Sequence, residues 1–170
     1  IMSQAFNKLN LPTSITDALG NATTKTYDKL GQVTSTIDPK GKVSNYSYDQ
    51  LNRLTSVTDP LSGTSLQEFN AAGNRLNITD PNGNQLTFTY DNAGRIVSQK
   101  DGNNNTVTYT YNNLGEIATR INGRGQTASF SYDKAGRIIT MNTPEGDTTY
   151  SYGNNGNLLA ISDSSGTISR

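Results

Sequence analysis

A 21-residue period marked by aromatic residues is the feature that most constrains how this chain can fold. All nine tyrosines and four phenylalanines fall in two slots of one repeat. The first slot recurs every 21 residues, with a last interval of 20, at Phe6, Tyr27, Tyr48, Phe69, Tyr90, Tyr111, Tyr132 and Tyr152. The second slot lies two residues earlier and holds Tyr46, Phe88, Tyr109, Phe130 and Tyr150. Such self-similarity predicts an array in which each repeat is one supersecondary element.

Each repeat carries two turn signals. Four residues after the first-slot aromatic stands a glycine or an asparagine, the residue types that tolerate positive φ. Eleven residues after the aromatic an aspartate usually opens a second turn, often as Asp-Pro-x-Gly, in which proline fixes φ and glycine takes the awkward conformation. The turn residues assigned in this way include Asp38, Pro39, Asp59, Pro60, Asp80, Pro81, Gly83, Gly94, Gly115 and Gly136.

The residues between the turns alternate as strands do. Residues 106–111 read Thr-Val-Thr-Tyr-Thr-Tyr, which places Tyr109 and Tyr111 on one face and hydroxyl residues on the other. An aliphatic residue recurs six positions after the aromatic, and we expect it to pack beside the ring. Arg75 takes that slot once, and Leu76 beside it predicts a bulge there. The two aromatic slots are therefore predicted to form a structural ladder along one face.

These patterns predict an all-β array of about eight 21-residue β-hairpin repeats in an antiparallel sheet strip. The chain is expected to be a single array over residues 1–170, with repeats that start near 6, 27, 48, 69, 90, 111, 132 and 152. At 32% hydrophobic residues, a thin sheet is favoured over a thick core. Long open sheets curl, so a curved or spiralling strip is expected.

Composition excludes several classes of function. The chain has no histidine, cysteine or tryptophan, which removes the common nucleophile pairs and zinc sites. The recurring carboxylates lie at turns, where capping explains them. We therefore expect no catalytic residue, no metal and no cofactor, and hence no enzyme. A net charge of zero argues against nucleic acid as a partner, and no apolar run is long enough to span a membrane.

The repeat text resembles a known family. It is clearest in Tyr-Asp-Asn-Ala-Gly-Arg-Ile at residues 90–96, with close copies at 27–33, 48–54 and 132–138. This text is similar to the YD repeat of the Rhs and teneurin families, and the resemblance covers almost the whole chain. It implies a β-sheet strip that spirals into a hollow shell around a toxin or an unfolded polypeptide. It also implies that the partners are the remaining repeats of a parent shell and the enclosed cargo, in a bacterial protein that is secreted or at the cell surface.

A carbohydrate-binding or adhesion module is the alternative function, because tyrosines can stack on sugar rings and Asn and Thr can bond to glycans. The first repeat begins almost at the first residue and the last stops part-way, so we expect a segment of a longer chain. Open strand edges would then predict edge-to-edge self-association.

Overall fold

The computed structural model describes residues 3–169, which form 17 β-strands and no helix. The strands form one open antiparallel sheet, which confirms the predicted all-β hairpin array. They are β1 (Ser3–Phe6), β2 (Pro12–Thr16), β3 (Ala22–Tyr27), β4 (Val33–Ile37), β5 (Val43–Tyr48), β6 (Leu54–Thr58), β7 (Thr64–Phe69), β8 (Arg75–Thr79), β9 (Gln85–Tyr90), β10 (Ile96–Asp101), β11 (Thr106–Tyr111), β12 (Ile117–Ile121), β13 (Thr127–Tyr132), β14 (Ile138–Thr143), β15 (Gly146–Tyr152), β16 (Leu158–Asp163) and β17 (Gly166–Ser169).

The chain divides after Gln85 into two compact units. In the first unit, each strand from β1 to β8 pairs antiparallel with the next strand in the chain. In the second unit, the strands from β9 to β17 pair in the same consecutive way. Each unit is therefore a meander of hairpins, as short connections between successive strands require.

A β-bulge recurs in each hairpin that follows a first-slot aromatic. Tyr27 pairs with Val33 and Thr26 pairs with Ser35, which leaves Thr34 as the extra residue. Seven other hairpins have the same register shift. The bulge predicted at Leu76 is present, and it is one member of this series rather than a local irregularity. Bulges increase the local twist of a strand, so each repeat carries the same built-in bend.

Two sets of turns join the strands. The A turns begin directly after the first-slot aromatic, and the B turns begin eleven residues after it. In the A turn at Asp91, the Gly94 amide donates to the Asp91 carbonyl at 3.0 Å and the Asp91 amide donates to the Arg95 carbonyl at 2.9 Å. Gly94 has a φ of 77°, so the turn has the form of a type I turn closed by a left-handed residue. The B turns that begin at residues 17, 38, 59, 80, 101 and 122 have the same pair of backbone bonds.

The last two B turns are one residue shorter. Thr143 pairs directly with Gly146, and Asp163 pairs directly with Gly166, so only two residues remain in each loop. The shorter loop after Thr143 accounts for the 20-residue interval between Tyr132 and Tyr152.

Each unit is a single layer of strands with two different faces. None of residues 3–169 is buried to the degree of a core residue. The first-slot aromatics from Tyr27 to Tyr152 are half-buried, whereas the residue before each of them is exposed. Phe6, in the first strand, is 51% exposed. The aromatic and aliphatic side chains thus shelter one another on one face, and serine and threonine occupy much of the other.

Candidate functional site

The first-slot tyrosines join neighbouring repeats through their hydroxyl groups. For the five tyrosines named next, the hydroxyl donates to the backbone carbonyl of the residue that stands six positions after the preceding first-slot aromatic. The bonds run from Tyr27 to Pro12 (2.7 Å), Tyr48 to Val33 (3.0 Å), Tyr111 to Ile96 (2.6 Å), Tyr132 to Ile117 (3.0 Å) and Tyr152 to Ile138 (3.0 Å). The accepting residue is the one that pairs with the previous aromatic at the bulge. Tyrosine in this slot therefore links consecutive hairpins rather than filling a core.

The surroundings of two of these phenols, Tyr111 and Tyr132, favour the protonated form. Burial raises the pKa of both Tyr111 and Tyr132, because the phenolate would lose hydration beside the sheet. For Tyr111 the nearby Arg95 guanidinium partly opposes that effect. Both hydroxyls remain hydrogen-bond donors at neutral pH. Phe6 and Phe69 occupy the same slot without a hydroxyl, and Phe69 keeps its place opposite Arg75.

The structure places the second-slot aromatics on the same face as the first-slot ones. Tyr46, Phe88, Tyr109, Phe130 and Tyr150 are half-buried, each two residues before a first-slot ring. Their partners across the hairpin include Val57 for Tyr46, Met141 for Phe130 and Ile161 for Tyr150. First-slot rings face the aliphatic residues that follow six positions later, such as Val33, Leu54 and Ile117. The register thus sets aromatic residues beside aliphatic ones along each hairpin.

Carboxylates of the A turns cap those turns. Asp91 Oδ1 accepts the backbone amides of Ala93 and Arg95, both at 2.9 Å. The asparagines at the same position, such as Asn112, use the amide oxygen in the same way. The pKa of Asp49 is lowered, first by its hydrogen bond with the Arg53 side chain and then by the Arg53 backbone amide. The turn thus favours the ionised form of the Asp49 carboxylate, which is a structural role.

The B-turn carboxylates also accept backbone amides of their own turns. The Oδ1 atoms of Asp38, Asp59, Asp80 and Asp101 each accept the amides two and four residues later, at 2.8 to 2.9 Å. Pro39, Pro60 and Pro81 occupy the second position of these turns, where a fixed φ is favourable. The fourth position is left-handed, with φ of 75° at Gly41 and 84° at Gly83.

The recurring arginines connect the aspartate of their own A turn to the aromatic ring of the next repeat. Arg53, Arg95 and Arg137 each grip the aspartate of their own A turn through Nε and Nη2, at 2.6 to 2.7 Å. The expected pairing of these arginines with neighbouring acids is therefore observed. The same guanidinium groups lie over the first-slot ring of the next repeat, 4.6 Å from Phe69, 4.4 Å from Tyr111 and 4.5 Å from Tyr152. The stacking was not foreseen, because it joins residues 15 to 16 positions apart in separate hairpins.

The turn glycine of the next repeat lies within van der Waals reach of that arginine. A Cβ added at Gly115 would lie 3.5 Å from Arg95 Nη1, and one at Gly156 would lie 3.7 Å from Arg137 Nη1. Both glycines also have positive φ, at 84° and 85°. The residues of the Tyr-Asp-x-x-Gly-Arg text thus contact one another across repeats. Tyrosine donates to a backbone carbonyl of the preceding repeat, and aspartate caps the turn and binds arginine. Arginine then stacks on the first-slot ring of the next repeat.

The described part of the chain offers neither a metal-binding cluster nor a membrane-spanning helix. Residues 3–169 contain no group of three His, Cys, Asp or Glu side chains placed to hold a metal ion. No helix among the same residues has the length and apolarity to cross a membrane. The arrangement that recurs is the junction between repeats, and this junction is the candidate functional feature.

The family follows from this repeat. Residues 63–168 match the model of the teneurin YD-shell family. The chain belongs to the teneurin YD-shell family. Residues 6–43 and 27–64 of this YD-shell chain also match the RHS repeat model. No curated protein matches the chain.

Solved structures share the fold of this YD-shell chain. It is similar to TcdB2-TccC3 without its hypervariable C-terminal region, at 16% identity and a TM-score of 0.54, over 96% of this chain and 12% of that one. The Photorhabdus luminescens Tc holotoxin pore matches with the same identity, TM-score and coverage. TcdB2-TccC3-Cdc42 matches at 16% identity and a TM-score of 0.53, over 95% of this chain and 12% of that one. The chain thus spans about an eighth of these proteins' length, and at this identity the likeness concerns the fold.

Proposed function

We propose that this chain is a section of the wall of a hollow YD shell that encloses or presents a polypeptide cargo, and that it is not catalytic. The junction between repeats carries the proposal. The tyrosine hydroxyl bonds, the arginine–aspartate ion pairs and the bulges recur along the chain, so a repeat is stabilised by contacts with its neighbours. A unit stabilised by its neighbours suits a continuous wall, because repeat arrays gain stability with each interface.

The single-layer construction supports the same role. No described residue is buried as in a core, so the sheet has the thickness of a wall rather than of a globular domain. One face carries half-buried rings and aliphatic residues, and the other carries exposed hydroxyls such as Thr110 and Ser131. A hydroxyl-rich surface offers hydrogen bonds with little sequence preference, which suits contact with an unfolded chain.

The finer parts of the proposal follow from the family. The partners would be the remaining repeats of a longer parent chain and an enclosed toxin or other polypeptide, in a secreted or cell-surface bacterial protein. The names of the similar structures, which include Tc holotoxin components, are consistent with a toxin as cargo. Edge-to-edge self-association through unpaired strands is a further part of the proposal.

The contacts of the rings favour a wall over carbohydrate binding. A sugar-binding platform needs an aromatic face open to solvent. Here a guanidinium covers a face of the rings of Tyr111 and Tyr152, and their hydroxyls are bonded to backbone carbonyls. Glycan binding therefore has less support than the wall, and the experiment below separates the two.

Protection of a cargo from protease tests the proposal. In the full natural protein that contains these repeats, mass spectrometry after limited proteolysis should find a polypeptide segment that survives while the repeats are intact. Changing both Tyr111 and Tyr132 to alanine should open the wall and expose that segment. Changing the preceding residues on the hydroxyl face, Thr110 and Ser131, to alanine is the matched control, because it leaves the tyrosine bonds between repeats in place and should leave protection intact.

Two results would contradict the wall. One is that no segment is protected in the natural protein. The other is that the tyrosine variants stay folded by circular dichroism and lose binding on a glycan array, which would favour the carbohydrate module.

A further inference from the structure

Asn82 and Gly83 form the tip of the B turn that begins at Asp80. Both are exposed, and the Asn82 side-chain amide has no hydrogen-bond partner among residues 3–169. Asn82 serves the turn through its backbone, whose amide donates to Asp80 Oδ1 at 2.8 Å. Other B turns have leucine, lysine or arginine in this third position, so the turn does not require an asparagine there. The fold therefore leaves the Asn82 side-chain amide free to react.

The backbone next to Asn82 is equally open. A Cβ built on Gly83 would have nothing within 4 Å, and glycine has no side chain to hinder its own nitrogen as it approaches Asn82 Cγ. The Gly83 amide donates to the Asp80 carbonyl at 3.0 Å. That bond lies in an exposed turn, where local opening costs little free energy, so the nitrogen can be released from it.

We propose that Asn82 and Gly83 are a self-modification site, at which the Gly83 backbone nitrogen attacks the Asn82 side-chain amide. A bond forms between this nitrogen and Cγ and closes a succinimide ring. The bond from Cγ to Nδ2 breaks, and ammonia leaves with the proton of the Gly83 amide. Water then opens the ring. Its addition at Cγ gives aspartate, and its addition at the backbone carbonyl carbon gives isoaspartate, so the net change consumes water and releases ammonia.

A second asparagine–glycine pair, Asn122 and Gly123, is held in place by its turn. Asn122 is half-buried, and its Oδ1 accepts the backbone amides of Arg124 and Gln126 at 3.0 and 3.1 Å. Its Nδ2 also donates to Gln126 Oε1 at 2.8 Å. These three hydrogen bonds fix the side chain, so turning it toward the Gly123 nitrogen costs free energy. The same dipeptide is therefore protected here and exposed at Asn82.

The third asparagine–glycine pair lies at the A turn that ends the chain's last full repeat. Asn155 is exposed, and its Oδ1 accepts the Asn157 amide at 3.2 Å. One long hydrogen bond restrains it less than three restrain Asn122. We therefore expect its rate to lie between those of Asn82 and Asn122.

Asn103 isolates the contribution of the glycine. It has the third position of the next B turn, is exposed like Asn82, and donates its backbone amide to Asp101 Oδ1 at 2.9 Å. The residue that follows is Asn104, whose side chain crowds the attacking nitrogen in a way that Gly83 does not. Asn103 should therefore stay unmodified while Asn82 reacts.

Isoaspartate at residue 82 would loosen the turn. It adds a methylene to the backbone between Asp80 and Asn84, whereas the bonds that close this turn depend on the natural spacing. Asp80 Oδ1 accepts the amides of residues 82 and 84 at 2.8 and 2.9 Å. A loosened tip is more open to protease. The inference does not rest on the proposed wall, because the reaction needs only the turn and water.

Peptide mapping by mass spectrometry tests the site. The natural protein is incubated in mildly alkaline buffer, and aspartate and isoaspartate are measured over time by electron-transfer fragmentation. We expect acid to accumulate at Asn82 several-fold faster than at Asn122 or Asn103. In urea, where the turns are unfolded, Asn122 should approach the rate of Asn82 and Asn103 should stay slow. Equal rates at Asn82 and Asn122 in the folded protein would overturn the proposal, as would strong protection of Asn82 relative to urea.

Limited proteolysis provides the second measurement. After the same incubation, a nonspecific protease should cut the natural protein within residues 80–84 several-fold faster than the Asn82→Ser variant, which lacks the reactive amide. Freshly prepared Asn82→Asp has the added charge on a natural backbone and should be cut no faster than fresh natural protein. Equal cutting of the incubated natural and Asn82→Ser proteins would show that the modification does not loosen the turn.

Discussion

At the scale of single residues, the tyrosine hydroxyl is the contact that distinguishes this ladder from a row of hydrophobic rings. The Tyr111 hydroxyl donates to the Ile96 carbonyl at 2.6 Å, across the boundary between two repeats. Neither the spacing nor the composition reveals that partner, because tyrosine and phenylalanine share the slot in the sequence. The hydroxyl and the ring therefore have separable roles.

Removing one hydroxyl measures its role. Tyr111→Phe should lower the free energy of unfolding by about 1 kcal/mol, the net value of a hydrogen bond between neutral groups. Urea denaturation gives the value. Tyr109→Phe is the matched control, since the Tyr109 hydroxyl has no hydrogen-bond partner among residues 3–169 and should cost less. Equal losses for the two variants would refute the role. Phe69→Tyr should have the opposite effect, by reaching the Leu54 carbonyl.

The capping carboxylates make stability depend on acid. Hydrogen bonds lower the pKa of Asp80, first from the Asn84 side chain, and the pKa of Asp101, first from the Asn105 side chain, below an ordinary value of 3.8. Because the folded pKa is the lower one, the stabilisation is present above 3.8 and is lost as the pH falls through the lowered pKa. Urea midpoints at about pH 7 and about pH 3 should therefore differ, with the lower midpoint in acid.

Asparagine at the same position separates this titration from the cap itself. Asn122 caps its B turn with an amide oxygen that does not titrate. The double change Asp80→Asn with Asp101→Asn should keep the turns and reduce the difference between the two midpoints. A difference as large as in the natural chain would mean that the acid effect arises elsewhere.

At the scale of the element, the left-handed fourth turn position is where the sequence is least uniform. Glycine holds it in most turns, but Ser62 takes it with a φ of 69° and Asn104 with 67°. A left-handed residue other than glycine costs roughly 1 to 2 kcal/mol, less for asparagine, which can bond locally. Among the described residues with positive φ, Ser62 is the one that is neither glycine nor asparagine, so its backbone is the most strained.

Ser62→Gly should therefore stabilise the protein. The relief of strain exceeds the extra freedom that glycine gives the unfolded chain, so we expect a gain of about 0.5 to 1 kcal/mol in the free energy of unfolding. Thermal or urea denaturation measures it. Asn104→Gly is the comparison and should gain less. A loss of stability for Ser62→Gly, with Asn104→Gly unchanged, would show that the serine hydroxyl contributes more than its backbone costs.

Repetition explains which elements the sequence revealed. Turn positions stood out because glycine recurs at the slot of Gly94, and strand faces stood out because threonine and tyrosine alternate along residues 108–111. The bulge stayed hidden because the extra residue is present in each hairpin, so no spacing shifts. Only where Arg75 breaks the aliphatic slot did Leu76 expose it. A feature shared by all repeats leaves no irregularity to detect.

At the scale of the whole molecule, the sequence predicted the architecture better than the site. Period and alternation were enough for an all-β array, because hairpin pairing is local. The arginine stacking on Tyr111 depends on which hairpins lie side by side, and this is known only once the strands are paired. The lack of histidine, cysteine and tryptophan was visible from composition, whereas the contacts between repeats were not.

The short B turn at Thr143 shows where such an array can change length. A residue lost within a strand would turn every later side chain to the opposite face. Here the loss falls in a loop, and Tyr152 still reaches the Ile138 carbonyl at 3.0 Å. The loops thus absorb an insertion or deletion locally, and the hairpins beyond it stay in phase. A protein built in this way can vary the length of its loops without any compensating change in its strands.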